Sequence, residues 1–181
     1  MIDSLKQQAK TPIILDIGCG DKTLQSLFHG AKYLGIDVTS DSSADFILNC
    51  NIDNPPFADK SIDAVIMTNS LEHIFNTKHI LDEIRRVILP DGLFYFSVPM
   101  TYPRHAHPDD YIRFTPYYFK RAFADWRTIR LQTSNSIFST PFLLTGQIFS
   151  MFFPNWLTLI PITLINSLTV SLVDPEEQVT I

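Results

Sequence analysis

Asp16, Gly18, Gly20 and Asp37 have types and a spacing that can do chemistry together. Asp16 stands in the apolar run Ile13-Ile14-Leu15-Asp16-Ile17, which reads as a buried parallel strand breaking into an Asp16-x-Gly18-x-Gly20 turn. Glycine lacks a Cβ, so backbone there approaches a ligand closely. A second run, Tyr33-Leu34-Gly35-Ile36, ends on Asp37, and a carboxylate at a strand's C-terminal end can accept hydrogen bonds from both ribose hydroxyls. Together these residues describe the adenosine half of a nucleoside-cofactor site. The glycines alone would also fit a tight turn without a ligand; the acidic residue ending the next strand favours the site.

Three further groups carry polar chemistry. Asn51, Ile52 and Asp53 follow the third apolar run and offer an acceptor and an apolar face to a purine ring, or form a plain loop. Asn69, Ser70 and Leu71 end the fourth run, where open α/β sheets build ligand crevices, and Glu72 and His73 follow with packing or helix capping as a competing role. The cluster Arg104-His105-Ala106-His107-Pro108-Asp109-Asp110-Tyr111-x-Arg113 follows the fifth run and admits three readings. A histidine there can accept a hydroxyl proton near neutral pH. His-x-His-x-Asp can start a metal site, but that needs further histidines downstream, and none follows His107. Asp109 or Asp110 can also pair with Arg113 and fix the loop.

The elements that must position these residues alternate as β and α, which implies a mostly parallel sheet flanked by helices. Strands are expected over 13–17, 33–37, 44–49, 62–68, 93–98 and 126–131, with Asn54-Pro55-Pro56 as a break. A short helix is expected over 23–28. A longer one over 77–89 carries Ile80, Leu81, Ile84, Val87 and Ile88 at helical spacing and stops at Pro90-Asp91-Gly92. Thr115-Pro116 opens another through Phe123, with Thr as N-cap and Pro in the first turn.

The 181 residues suffice for one domain with a real core, and a net charge of −5 argues against nucleic acid as the main partner. Cys19 and Cys50 sit in apolar contexts and read as reduced thiols of a cytosolic protein. Residues 1–10 are polar and Ile13-Ile14-Leu15 is too short for a signal-peptide core, so a cytoplasmic chain is expected. No charged side chain occurs between Arg130 and Asp174. We therefore divide the chain into a cofactor-binding domain over 1–135 and an apolar C-terminal helical extension over 136–181. Pro154, Asn155, Pro161 and Asn166 interrupt the stretch 137–173. That disfavours a simple span and leaves two readings, peripheral contact with the inner face of a membrane or burial on the body or in a homodimer.

With Asp16-x-Gly18-x-Gly20, Asp37, the run Pro56-Phe57-Ala58-Asp59-Lys60-Ser61-Ile62-Asp63-Ala64-Val65, the motif Leu71-Glu72-His73-Ile74 and the segment Glu83-Ile84-Arg85-Arg86-Val87-Ile88-Leu89-Pro90-Asp91-Gly92, the chain resembles class I S-adenosylmethionine-dependent methyltransferases of the ubiquinone/menaquinone type. The resemblance covers about residues 12–130 and implies their Rossmann-like fold. His107-Pro108-Asp109-Asp110-Tyr111-x-Arg113-Phe114-Thr115 is similar to a segment of methyltransferase-like proteins encoded among bacterial surface-polysaccharide genes. The class I resemblance implies S-adenosylmethionine as cofactor: turn and helix-start N–H groups would bind the methionine carboxylate, Asp16 the amino group and Asp37 the ribose. Asn51 or Asp53 with Ile52 would meet adenine, and Cys19, Val38, Asn69, Ser70 and Leu71 would complete the wall.

Three departures from the family pattern stand out: Lys22 in place of a third glycine, Asn51 in place of an Asp, and no evident antiparallel final strand. The expected reaction is methyl transfer to an oxygen of a small-molecule or lipid-linked sugar acceptor, without metal. His105, His107, Asp109 and Tyr111 are the candidate catalytic residues. The alternatives are a nicotinamide-dependent dehydrogenase, whose Gly-x-Gly-x-x-Gly is broken by Thr23, and an inactive scaffold of the same fold at a membrane.

Overall fold

The apolar runs assemble into a five-stranded sheet in the order β3 (Phe46–Ile47), β2 (Lys32–Asp37), β1 (Ile13–Ile17), β4 (Ile62–Thr68), β5 (Ile88–Ser97), every neighbouring pair parallel. The computed structural model describes residues 11–100, 102, 104–105, 108–127, 130–131 and 179–180. They divide into two units, one of residues 11–99 with 104–113, the other of Met100 and Tyr102 with residues from Phe114 onward. The expected boundary at 135/136 and the apolar stretch 137–173 lie outside the described residues. Among those described, no helix is long and apolar enough to cross a membrane.

In the first unit β1 (Ile13–Ile17) and β4 (Ile62–Thr68) form the centre, with Ile14, Leu15, Ile17, Ile62, Val65, Ile66 and Met67 buried almost completely. Strands covered on both faces have no polar side to present, which is why these segments read as continuous apolar runs. β2 (Lys32–Asp37) pairs with β1 in a register that sets Asp16 opposite Gly35 and Ile17 opposite Ile36. β1, β2 and β4 therefore end at one edge of the sheet, and the loops that follow them share it. α1 (Thr77–Val87) buries Thr77, Ile80, Leu81, Ile84 and Val87.

Several boundaries differ from expectation, each for a local reason. The helix expected over 23–28 is a three-residue 3-10 turn, Gln25–Leu27, so no helix N-terminus follows the glycine turn. β3 is only Phe46–Ile47, an edge strand clipped by Asp45, whose carboxylate takes the Gly35 N–H, and by Asn49, whose carbonyl closes the turn to Ile52 and Asp53. α1 stops two residues early because Leu89 precedes Pro90 and is pushed toward extended backbone. Ile88 then pairs with Ile62 instead of continuing the helix, so β5 runs Ile88–Ser97 with a bulge at Pro90-Asp91-Gly92.

Arg86 ties α1 to the proline loop. Its guanidinium donates to the Glu83 and Asp59 carboxylates and to the Pro55 and Phe57 carbonyls at 2.7–3.1 Å.

The second unit holds α2 (Pro116–Ala122), whose residue Phe119 contacts Phe114 and stacks on Phe123, with Phe123 on Trp126. Thr115 is the extended residue before the helix, as expected, but makes no side-chain cap. The sixth strand is Arg130–Leu131, shorter than expected, and it pairs antiparallel with a seventh, Val179–Thr180, that the sequence did not reveal.

Candidate active site

The glycine turn holds two glycines, and Gly18 is the one that its surroundings require. Gly18 has φ +76°, and a Cβ there would come within 2.4 Å of Ser70 Cβ. Ser70 Oγ in turn donates to the Ile17 carbonyl at 2.9 Å, so the absent side chain lets the loop after β4 close over the end of β1. Gly20 has φ +48° and faces open space. Its N–H donates to Asp37 Oδ2 at 2.8 Å, and Thr39 N–H donates to Oδ1 at 2.9 Å. A carboxylate has about four acceptor positions, so Asp37 keeps capacity for two more donors. It lines a shallow cavity of about 200 Å³ with Gly20, Asp21, Thr39, Asp41 and Ser42.

Asp16 lies beside this cradle, 2% exposed. Tyr33 Oη donates to its Oδ2, whereas Oδ1 is buried with no hydrogen-bond partner. Burial pushes the Asp16 carboxyl above its ordinary value, against the Tyr33 hydrogen bond, and the same contact together with burial raises Tyr33. An orphaned, buried acceptor is costly unless something donates to it. A cationic amino group is the natural partner, so the residues present fit the methionine end of S-adenosylmethionine.

Cys19, expected on the wall, turns inward. A Cβ on Gly35 would lie 2.5 Å from its Sγ, and burial, then Asp16 and Asp37, push its thiol up to about 12. Cys19 therefore contributes backbone and packing. Val38 is exposed after Asp37.

Lys22 explains the missing third glycine. It takes φ +53°, a conformation that costs an L-residue about 1–2 kcal/mol. Its Nζ reaches Asp45 Oδ2 at 2.6 Å, and that same oxygen accepts the Gly35 N–H at 2.7 Å. Burial raises the Asp45 carboxyl, but Lys22 and the Gly35 N–H outweigh it and hold the group below its ordinary value. Lys22→Gly should exchange ion pair for relief of strain and unfold at nearly the parental temperature. Lys22→Ala loses the pair and keeps the strain, so its melting temperature should fall below that of the glycine variant.

The loop after β3 brings Asp53 and Asp37 to the same side: after burial itself, both carboxylates push the Cys50 thiol up, to about 11. Asn51 is committed elsewhere. Its Oδ1 accepts the Asn76 N–H at 3.0 Å and its Nδ2 donates to Asn49 Oδ1 at 3.0 Å, which docks the start of α1. Asp53 Oδ2 accepts the Asn49 N–H at 2.8 Å, and Ile52 projects outward, 74% exposed. At the end of β4, Asn69 adopts φ +49°, Ser70 packs on Gly18, and the Leu71 side chain is fully buried in the core.

The candidate catalytic residues divide. His107 lies outside the described residues. Asp109 and Tyr111 are exposed; the Tyr111 hydroxyl donates to Asp109 Oδ2 at 3.0 Å, and its ring meets Phe75 edge-on. Asp110, not Asp109, forks with Arg113, which holds its carboxyl well below the ordinary range.

His105 Nε2 lies 3.9 Å from Glu72 Oε1, as does His73 Nε2, and the two imidazoles meet edge to face at 4.9 Å. Glu72 was missed as a central residue. It is wholly buried, with neither carboxylate oxygen in a hydrogen bond, and burial raises its carboxyl against the pull of its own nearby backbone N–H, then of His73, His105 and Arg113. The signal was present in Leu71-Glu72-His73-Ile74, a carboxylate flanked by side chains that bury. The loop is held there because Tyr111 and Ile112 N–H groups donate to the Glu72 carbonyl.

A parallel sheet ordered 3-2-1-4-5, with a glycine turn after β1 and an acidic end to β2, defines the Rossmann-like fold of class I methyltransferases. Residues 15–96 match the methyltransferase domain family model. An uncharacterized protein of Methanocaldococcus jannaschii is 32% identical over 95 residues, 49% of this chain and 38% of that protein, so the chain spans well under half of that relative's length. A SAM-dependent methyltransferase from Aquifex aeolicus superposes with a TM-score of 0.52 at 16% identity, covering 72% of this chain and 80% of its own. The 1,6-didemethyltoxoflavin-N1-methyltransferase of Burkholderia thailandensis, solved with 1,6-didemethyltoxoflavin and S-adenosylhomocysteine bound, does so with a TM-score of 0.55 at 14% identity, covering 72% and 65%. These structural likenesses establish the fold.

Proposed function

We propose that this chain binds S-adenosylmethionine across the ends of β1 and β2 and catalyses transfer of its methyl group to a hydroxyl of a sugar, free or lipid-linked. The observation that carries the reading is the pairing of the Gly20 N–H with Asp37 beside the orphaned Asp16 oxygen, which leaves acceptors on both sides of an open glycine turn. The bound cofactor supplies a methyl carbon activated by positively charged sulfur. Asp16 would hold its amino group and Asp37 its ribose hydroxyls. Asp53 would accept from the adenine amino group, since Asn51 is spent on α1, and Ile52 would cover the ring. Alignment and exclusion of water are the protein's main tasks in such a displacement.

On the acceptor side His105, Asp109 and Tyr111 would orient the attacking hydroxyl, and the Glu72–His73–His105 group would take its proton. The sugar class follows from the resemblance of 107–115. A lipid carrier follows from the uncharged stretch 137–173, which would rest on the cytoplasmic face of a membrane or in a homodimer. The dehydrogenase alternative is less well supported: a dinucleotide pyrophosphate wants a helix N-terminus after the glycine turn, and a three-residue 3-10 turn stands there.

Titration calorimetry with S-adenosylhomocysteine tests the site. Stoichiometric binding is expected, weakened about 10- to 100-fold by Asp37→Ala through loss of charge-assisted hydrogen bonds. Absence of heat with the parent chain, or unchanged affinity in the variant, refutes the assignment.

A further inference from the structure

We propose that Glu72, His73 and His105 form a binding site for a borderline divalent transition-metal ion of the zinc type. One ligand atom from each lies within 4.8 Å of the others. The Glu72 carboxylate is completely buried and neither oxygen has a hydrogen-bond partner, a costly state for a side chain aimed between two imidazoles.

Both histidines are also oriented as metal ligands are, with the far nitrogen held by a second group. His73 Nδ1 sits 2.6 Å from the Asp109 carbonyl oxygen, which only accepts, so the ring proton is on Nδ1 and the Nε2 lone pair faces Glu72. His105 Nδ1 lies 3.4 Å from Asp110 Oδ2, and its backbone N–H donates to the same oxygen at 3.0 Å, again directing Nε2 to Glu72. Bonds of about 2.0–2.2 Å place tetrahedral ligand atoms about 3.3–3.6 Å apart. The Glu72–histidine separations of 3.9 Å need only a small contraction to reach that.

Two imidazoles and a carboxylate suit a borderline ion such as zinc, with cobalt as its spectroscopic substitute, rather than calcium or magnesium, which take oxygen ligands. Three protein ligands leave a position open, as in catalytic rather than structural zinc sites. The histidine-rich loop thus finds its missing ligands upstream, on the turn after β4, and not downstream where the sequence pattern would have required them. The site stands independently of the methyl-donor reading. With an ion present, the acceptor oxygen would meet the metal instead of an imidazole.

The test uses the untagged full chain, freed of metal with a chelator and titrated with Co²⁺, followed by visible absorption and calorimetry, then with Zn²⁺ in competition. One equivalent should bind with ligand-field bands of low coordination number, bleached by Zn²⁺. Glu72→Gln and His105→Ala should each weaken binding at least tenfold, while His29→Ala, outside the cluster, should leave it unchanged. Circular dichroism of each variant, and a His73→Gln chain as a second probe, separate loss of ligand from loss of fold. Absence of stoichiometric binding by the parent chain, or equal affinity in folded Glu72→Gln, overturns the proposal. Metal binding with no S-adenosylhomocysteine binding would overturn the function proposed above and leave this site standing.

Discussion

Gly18→Ala should unfold at a clearly lower urea concentration than the parent chain and bind no S-adenosylhomocysteine. Two costs act at that position. An L-residue held at φ +76° costs about 1–2 kcal/mol, and a Cβ 2.4 Å from Ser70 Cβ forces a displacement worth about 1–3 kcal/mol. Their sum is a large part of the margin by which small domains are folded. The displacement has one obvious direction, pushing the Ser70 loop off the Ile17 carbonyl and opening the floor beneath the glycine turn.

The double variant Gly18→Ala, Ser70→Gly separates the two. Removing the Ser70 side chain abolishes the overlap but leaves the backbone cost, so stability should recover in part and not completely. Urea titration followed by circular dichroism, with calorimetry on each variant, gives the four corners of the cycle. A Gly18→Ala chain as stable as the parent would mean that the turn and the β4 loop do not meet as described.

Asp16→Asn should separate the two properties: stabilise the ligand-free chain at neutral pH and still weaken cofactor binding about 10- to 100-fold. Burial holds the Asp16 carboxyl above its ordinary value of 3.8 in the folded chain, and unfolding returns it to that value. Between the two the folded state binds the proton more tightly, so stability falls as pH rises through that interval. Above that interval the buried charge is a standing cost. Asparagine removes the charge and still accepts from Tyr33 Oη. The melting temperature of the variant should therefore exceed that of the parent at pH 7, with a shallower decline from about pH 4 upward, Glu72 retaining a contribution of the same sign. Thermal scans with and without S-adenosylhomocysteine read both effects. A variant with parental pH dependence and full affinity would remove Asp16 from the amino-group site. Cost in the empty chain and gain in the loaded one are what a preorganised charge in a binding site should show.

Much of the geometry at the ends of β1 and β2 was legible because it is local. The Asp16-x-Gly18-x-Gly20 turn and the acidic end of β2 lie on two consecutive parallel strands, and the continuous apolar runs at β1 and β4 are those of strands covered on both faces. Lys22 at φ +53° shows the limit of that legibility. The third glycine of the family pattern is absent, yet the turn is kept by a side chain whose partner, Asp45, is set against it by the β2 register. Asn51 looked like a purine contact, but Asn76 occupies its amide, an arrangement that only the start of α1 creates.

Residue types and their order on the chain established a parallel nucleotide-type sheet, the cradle at its edge, and a polar cluster after the fifth strand. What they could not establish was which members of that cluster meet. His105 faces Glu72 and His73 from the far side of α1 and β5 in the chain, Asp110 rather than Asp109 takes Arg113, and Asp109 offers its carbonyl to His73. Short-range patterns follow from steric preference and hydrophobic periodicity, which every stretch of chain carries within itself. The encounter of Glu72 with two imidazoles depends instead on sheet register and on two backbone hydrogen bonds to its own carbonyl, interactions between segments that exist only once the chain has closed on itself.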